Sequence, residues 1–237
     1  MIRRNNDETS TWISTTDLIS GTLVIFLFMA VMLMHKSTEQ KNRIEGIVSE
    51  AQEAKIDLSN HLIANFSANE IEAYEIGTNL DSDLGKARFK DGVGTFDQGQ
   101  AVIKPEFKKE LDNFLPKYLA AISMCKPDSI KEIRIEGHTS SEWGNENYFT
   151  EDEAYIRNME LSQSRTRAIL NYAMTMPELA PYRGLMKEKL TANGLSSSHL
   201  VIENGKENKE KSRRIEFKVV PNDEQVVENV KHVMNIK

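Results

Sequence analysis

Positions 1 to 11 are polar, and from Trp12 to Met34 the chain is almost wholly apolar. Between Leu18 and Met34 nothing is more polar than Ser20 and Thr22. As a helix, such a run crosses a hydrocarbon core of about 30 Å when its ends lean on the interface. Arginines followed by an apolar run also open a signal peptide. Here the run ends in Val31-Met32-Leu33-Met34-His35-Lys36 with no small-x-small cleavage site, so it reads as a retained anchor. Arg3 and Arg4 favour a cytoplasmic tail at 1–11 and send the remainder outside, although His35, Lys36 and Lys41 stand across the span. The expectation is an inner-membrane, single-pass chain with a periplasmic domain.

Residues 35 to 43 are uniformly polar, and the pattern then changes. Ile44, Ile47, Val48, Ala51, Ala54, Leu58 and Leu62 recur at threes and fours, which predicts an amphipathic helix within a linker over 35–70. A stripe this narrow suits a helix paired with its own copy. Packing back onto the following domain is the alternative.

Ala73 to Ile76 and Ala87 to Phe89 flank a turn-rich 77–83 and predict a hairpin. A strand around Phe96 follows, then a helix from Pro105 to Leu119 with proline in its first turn. Lys131 to Glu136 alternates, Ile133 and Ile135 facing one way, Arg134 and Glu136 the other. A helix over Met159 to Met174, a strand at Leu190 to Gly194 and a last strand at Arg214 to Val220 complete the order. In that strand Ile215, Phe217 and Val219 point inward. This succession predicts an α+β domain over 71–220, a mixed sheet with helices on one face. The tail at 221–237 reads as a short helix or disorder.

Composition mainly excludes. A net charge of −6 leaves no basic surplus for phosphates, so nucleic acid is not an expected partner. Cys125 is the only cysteine; neither an intrachain disulfide nor a thiolate cluster is possible, and it reads as a small core residue. His35, His61, His138, His199 and His232 never fall at metal-ligand spacing, so no metal is expected. Gly92-Val93-Gly94 is an isolated glycine pair, and neither a P-loop nor a nucleophile elbow is present. Nothing supports catalysis or a cofactor.

Asp17 stands directly before the uninterrupted apolar run. A charge at membrane depth costs at least about 2.5 kcal/mol on insertion scales, so it normally faces a partner or a pathway. Ser14-Thr15-Thr16-Asp17 could instead cap the helix. Trp12 marks the interface, however, and places Asp17 more than a turn deeper. Ser20 and Gly21 give a small-residue face along which another helix can approach.

Three stretches resemble the OmpA-like peptidoglycan-binding domain: Phe96-Asp97-Gln98-Gly99-Gln100-Ala101-Val102-Ile103-Lys104-Pro105, then Ile135-Glu136-Gly137-His138-Thr139 with Asn158 to Arg165, then Ser212-Arg213-Arg214-Ile215-Glu216-Phe217. The resemblance implies that Arg165 grips the carboxylate of a diaminopimelate side chain. A guanidinium fork held on a rigid helix suits that task. Asn158, two turns earlier, would supply neutral hydrogen bonds, and Leu161 between them would chiefly pack the helix down. Thr139 and Ser140 complete the implied site.

The family usually has Asp where this chain has Ser140, and a hydroxyl cannot neutralise a ligand's ammonium. Gly99 replaces a polar residue, and Thr166 an alanine. The segment Ser141 to Arg157 is longer than usual and acidic at Glu142, Glu146, Glu151, Asp152 and Glu153. It reads as a solvated loop, with a stand-in for the missing carboxylate as the alternative.

Tail, membrane aspartate, helical linker and OmpA-like domain together resemble the B subunits of proton-driven stators, of which flagellar MotB is one. Ile13 to Gly21, Gly137 to Trp143 and Leu161 to Arg167 are closer to the Zorya anti-phage type. Residues 35 to 43 hold no apolar plug of the flagellar kind. The resemblance implies a homodimer ringed by multi-span subunits of the ZorA/MotA kind, with Asp17 translocating the ion. A flagellar or gliding stator and a passive membrane-to-wall tether are the other readings.

Overall fold

The computed structural model describes residues 4–90, 95–144 and 149–234. The Gly92-Val93-Gly94 pair and Glu146 lie outside them. The described chain forms two compact units, residues 1–49 with 226–237, and residues 50–225.

α1 runs from Arg4 to Asn65. It holds no proline, and its only glycines are Gly21 and Gly46, so nothing in its sequence forces a break. Its apolar part is long enough to cross a membrane by length and composition. Because α1 begins at Arg4, Asp17 lies roughly three and a half turns inside it and caps nothing. Thr15 and Thr16 return their hydroxyls to the carbonyl of Trp12, and Ser20 to that of Thr16. In the first unit Ile44 and Ile47 are half-buried. There Gln40 Nε2 donates to the carbonyl of Val233 (3.2 Å) on α7, Asp223–Met234. Over Asp223–Met234 the tail is helical.

In the second unit the end of α1 enters the core: Leu58 and Leu62 are buried, as is Phe66 just beyond the helix. For these positions the packed-back alternative holds. Ser67 starts the short α2 (Ala68–Ala73) with a reciprocal capping box to Glu70.

The expected hairpin is only half formed. Arg88 and Gly77 donate their amides to the carbonyls of Tyr74 and Lys86 across the turn, but the first arm is not a strand. Glu75 sits at φ 45°, which breaks an extended run. The second arm, β1 (Ala87–Lys90), pairs instead with β6 (Arg214–Pro221).

Between them in sequence lie α3 (Pro105–Ser123), β2 (Ile130–His138), α4 (Glu151–Thr175), α5 (Arg183–Lys189) and β3 (Leu190–Gly194). A two-stranded hairpin, β4 (Ile202–Glu203) with β5 (Lys206–Glu207), and α6 (Lys209–Ser212) lead into β6. The sheet order is β1-β6-β2-β3, antiparallel except for β2 with β3, so the mixed sheet is as expected.

Its apolar face carries Phe89, Ile133, Ile135, Phe217 and Val219 against α3, with Phe114 5.0 Å from Phe89 and 5.2 Å from Phe217 between ring centres. Cys125 is buried here, its thiol pushed up to about 11 by burial and then by Asp57, which leaves it an inert core group.

Phe96 is not in a strand; it lies in the loop before α3. The acidic segment is shorter than it looked, because α4 begins at Glu151 under a capping box from Thr150. Glu151, Asp152 and Glu153 occupy the first helical turn, where negative charge meets the positive end of the helix dipole.

Candidate functional site

Two glycines set the distance between α4 and the sheet. Gly137 and Gly194 are neighbours in the β2–β3 register. A Cβ on Gly137 would stand 2.8 Å from Thr166 Cγ2 and 2.9 Å from the carbonyl oxygen of Ser162; on Gly194 it would stand 2.3 Å from the amide nitrogen of Gln163. Only glycine admits the helix this closely. Thr166, where alanine was expected, fits because its hydroxyl bonds back to the carbonyls of Ser162 and Gln163.

With that face of α4 on the sheet, the face bearing Asn158, Leu161 and Arg165 opens onto a cleft of about 440 Å³. Thr139 and Ser140, from the end of β2, form its floor, and Phe96, Gln98 and Gly99 form one wall. All five site residues expected in this domain thus line one cleft, Leu161 included.

Arg165 is 5% exposed. Its Nε donates to the carbonyl of Gln100 (2.9 Å) and its Nη2 to that of Asp97 (3.1 Å), and the guanidinium lies 4.9 Å from the Phe96 ring centre. Those carbonyls are aimed by a turn that the Gln100 amide closes onto Asp97, with Gly99 at φ 68° inside it. Gly99 therefore has a backbone reason. The guanidinium plane is fixed by the protein itself, which lowers the ordering cost of binding an anion.

Asn158 gives both amide hydrogens to the loop after β2, to the carbonyls of Ser140 (3.1 Å) and Glu142 (3.0 Å). Its Oδ1 is what remains for a ligand, as an acceptor. Ser162 and Ser196 tie the same loop down: Ser196 donates its amide to Ser162 Oγ (3.1 Å), and its carbonyl accepts from the Thr139 amide (2.9 Å). Thr139 Oγ1 is buried with no hydrogen-bond partner among the described residues.

Glu142, from the acidic segment whose alternative reading was a stand-in for the missing carboxylate, lines the cleft and is ion-paired with Lys209. Sequence reasoning gave no role to two further lining residues, Trp143 and Arg213. Arg213 adjoins the closing strand, and its neighbour Arg214 points elsewhere, so alternation in that strand was the available signal.

Beneath the sheet, on the face away from α3 and α4, lies a second polar cluster. His138 Nε2 is 3.9 Å from Glu136 Oε2 and 3.8 Å from Glu216 Oε2, all three buried, a set that could surround a cation. Glu216 already accepts from Arg214 Nε (2.6 Å) and Arg88 Nε (2.9 Å), and Arg134 stands 3.8 Å from Glu136. A divalent ion would have to sit beside those guanidinium groups, which already compensate the two carboxylates. Burial, then the Arg214 charge, holds His138 down at about 3, so it is neutral. Burial alone would raise Glu216; Arg214 and then Arg88 outweigh it and hold the carboxyl at about 2.

Comparison with known proteins bears on both units. Residues 95–214 match the model of the OmpA family. The Zorya protein ZorB of Escherichia coli strain ATCC 8739 is 35% identical over 223 residues, 93% of this chain and 92% of that one. A second Zorya protein ZorB, of Escherichia coli O139:H28, is 27% identical over 92% of this chain and 83% of that one. Among solved structures, a putative MotB like protein from Desulfovibrio vulgaris aligns with 77% of this chain and 98% of its own at 22% identity and a TM-score of 0.47. Since the likeness to the first ZorB runs through the apolar helix as well as the cleft, the chain belongs to the OmpA family and, within it, to the ZorB proteins of Zorya.

Proposed function

We propose that this chain is the wall-anchored subunit of a proton-driven inner-membrane stator serving anti-phage defence. The observation that carries the reading is the 35% identity to a Zorya ZorB over 93% of the chain, which joins the Asp17 span to the Arg165 cleft in one relative. In this reading residues 1–11 are cytoplasmic, 12–34 cross the membrane, and the domain beyond the linker is periplasmic. The chain acts as a homodimer inside a ring of multi-span ZorA/MotA-like subunits and catalyses no covalent chemistry.

The chemistry divides between the two units. In the cleft, Arg165 pairs with a carboxylate of the peptidoglycan stem, with Asn158 Oδ1, Ser140 and Thr139 offering neutral hydrogen bonds and Leu161 an apolar contact. This holds the subunit still against the wall. In the span, Asp17 takes a proton from one side and gives it to the other, each crossing releasing about 2.3 kcal/mol per 100 mV. Asp17 is exposed on α1, and its neighbours Thr16 and Ser20 spend their hydroxyls on their own helix. The carboxylate is thus left to interact with surrounding subunits.

The test is Asp17→Asn, which keeps shape and hydrogen bonding but cannot titrate. Expression, dimerisation and wall binding are expected to stay intact while phage protection is lost. Full protection by the Asn variant removes the ion-translocating role and leaves a passive tether.

A further inference from the structure

Among the described residues, the charges lining the cleft are two guanidinium groups and one carboxylate. Arg165 reaches it from α4, and Arg213 from the junction of α6 and β6. The Arg213 side chain is half-buried and makes no hydrogen bond or ion pair among the described residues. The carboxylate, Glu142, is ion-paired with Lys209, so its charge is already compensated. Ser140 and Asn158 offer only neutral atoms, and the Thr139 hydroxyl, 3% exposed, has an unused donor.

A ligand carboxylate here gains charge-assisted bonds, which are roughly twice as strong as neutral ones. An ammonium group gains none from an anion that is not already paired, and it must shed water to enter. We infer that the cleft reads the carboxylates of its ligand and not its ammonium group, with Arg213 as a second anion-binding residue beside Arg165. The ligand class is a peptide stem whose branched end carries two carboxylates; amidation at that end is rejected and acylation of its amine is tolerated. This rests on the peptidoglycan reading above. It places selection in Arg213, Thr139 and the Glu142–Lys209 pair.

The test uses the full chain in detergent and titration calorimetry with a soluble tripeptide stem ending in diaminopimelate, in three forms: unmodified, acetylated on the side-chain amine, and amidated on the side-chain carboxylate. Acetylation is expected to change Kd less than about twofold and amidation to weaken binding about tenfold, the loss of one charge-assisted bond. Arg213→Ala is expected to weaken the unmodified stem about tenfold, with Arg213→Lys recovering part of the loss.

Tenfold weakening by acetylation, or indifference to amidation, overturns the inference while leaving wall binding in place. Failure of the unmodified chain to bind either the stem or intact sacculi overturns the peptidoglycan reading, and this inference with it. The comparison of ligands is made on the unaltered protein, so the outcome does not depend on whether a variant folds.

Discussion

The two faces of the central sheet bury side chains equally well by opposite means. Toward α3 and α4, Phe89, Ile135 and Phe217 interlock with Phe114 and Tyr118, and the gain is apolar area and packing. On the other face Glu136, His138, Arg214 and Glu216 are all buried, between 3% and 7% exposed. In register, Glu136 stands directly opposite Glu216, which alone would be repulsive. The row is stabilised from both sides by Arg88 and Arg214 on Glu216 and by Arg134 beside Glu136. His199 lies over it, its ring 6.0 Å from that of His138 and its carbonyl accepting from Arg214 Nη1. An apolar face tolerates rearrangement at the cost of cavities. A charged buried face tolerates neither the loss of a partner nor the gain of a proton.

The largest expected difference between the faces comes from truncation. Phe217 is wholly buried at the crossing of Phe89, Phe114 and Tyr118. Phe217→Ala should cost about 3–5 kcal/mol, enough to unfold much of a marginally stable domain. The denaturant midpoint of the 50–225 unit, with its slope unchanged, measures this. A loss below about 1 kcal/mol would mean that the aromatic cluster is not the centre of the core.

The charged face should betray itself through pH. Unfolded, His138 takes up a proton near its ordinary 6.5; folded, burial and Arg214 delay this to about 3. Between those values the unfolded chain binds more protons, so stability falls as pH falls. From pH 7.5 to 5 the loss attributable to His138 is on the order of 2 kcal/mol. Glu216, held at about 2 against its usual 4.5, acts in the same direction but only below about pH 4.5. His138→Gln should therefore flatten the stability profile between pH 7.5 and 5. An unchanged slope in that variant would assign the acid sensitivity to other groups.

The two faces also differ in how far the sequence revealed them. Alternation in Lys131–Glu136 and Arg214–Val220 was enough to assign which side chains face the helices, and the α4 motif was enough to bring Asn158, Leu161 and Arg165 to one wall. Alternation could not say that the polar side is buried. That depends on residues distant along the chain: Arg88 and Arg214 lie 48 and 78 residues from Glu136, and His199 lies 61 from His138. The capping box at Thr150, three residues before Glu153, was visible in principle and would have started α4 at Glu151. The strand expected at Phe96 was lost to a turn closed for Arg165, a tertiary demand overriding local pattern.

The smallest expected effect is a coupling, and it probes the seam that joins the apolar face to the cleft. Gly137→Ala places a methyl 2.8 Å from Thr166 Cγ2 and 2.9 Å from the carbonyl oxygen of Ser162. The helix must shift, at a cost of about 1–3 kcal/mol typical of overpacking. Thr166→Ala removes Cγ2 and a hydroxyl that bonds only within its own helix, so alone it should cost about 1 kcal/mol or less. In the double variant the side-chain clash is gone, but the backbone oxygen of Ser162 stays where it was. The two changes should therefore be non-additive by about 0.5–1 kcal/mol in the favourable sense, leaving a residual cost. Because α4 carries Arg165, wall binding should follow the same order, weakest in Gly137→Ala and partly restored in the double variant. Strict additivity in both stability and binding would show that Gly137 is required for something other than the approach of α4.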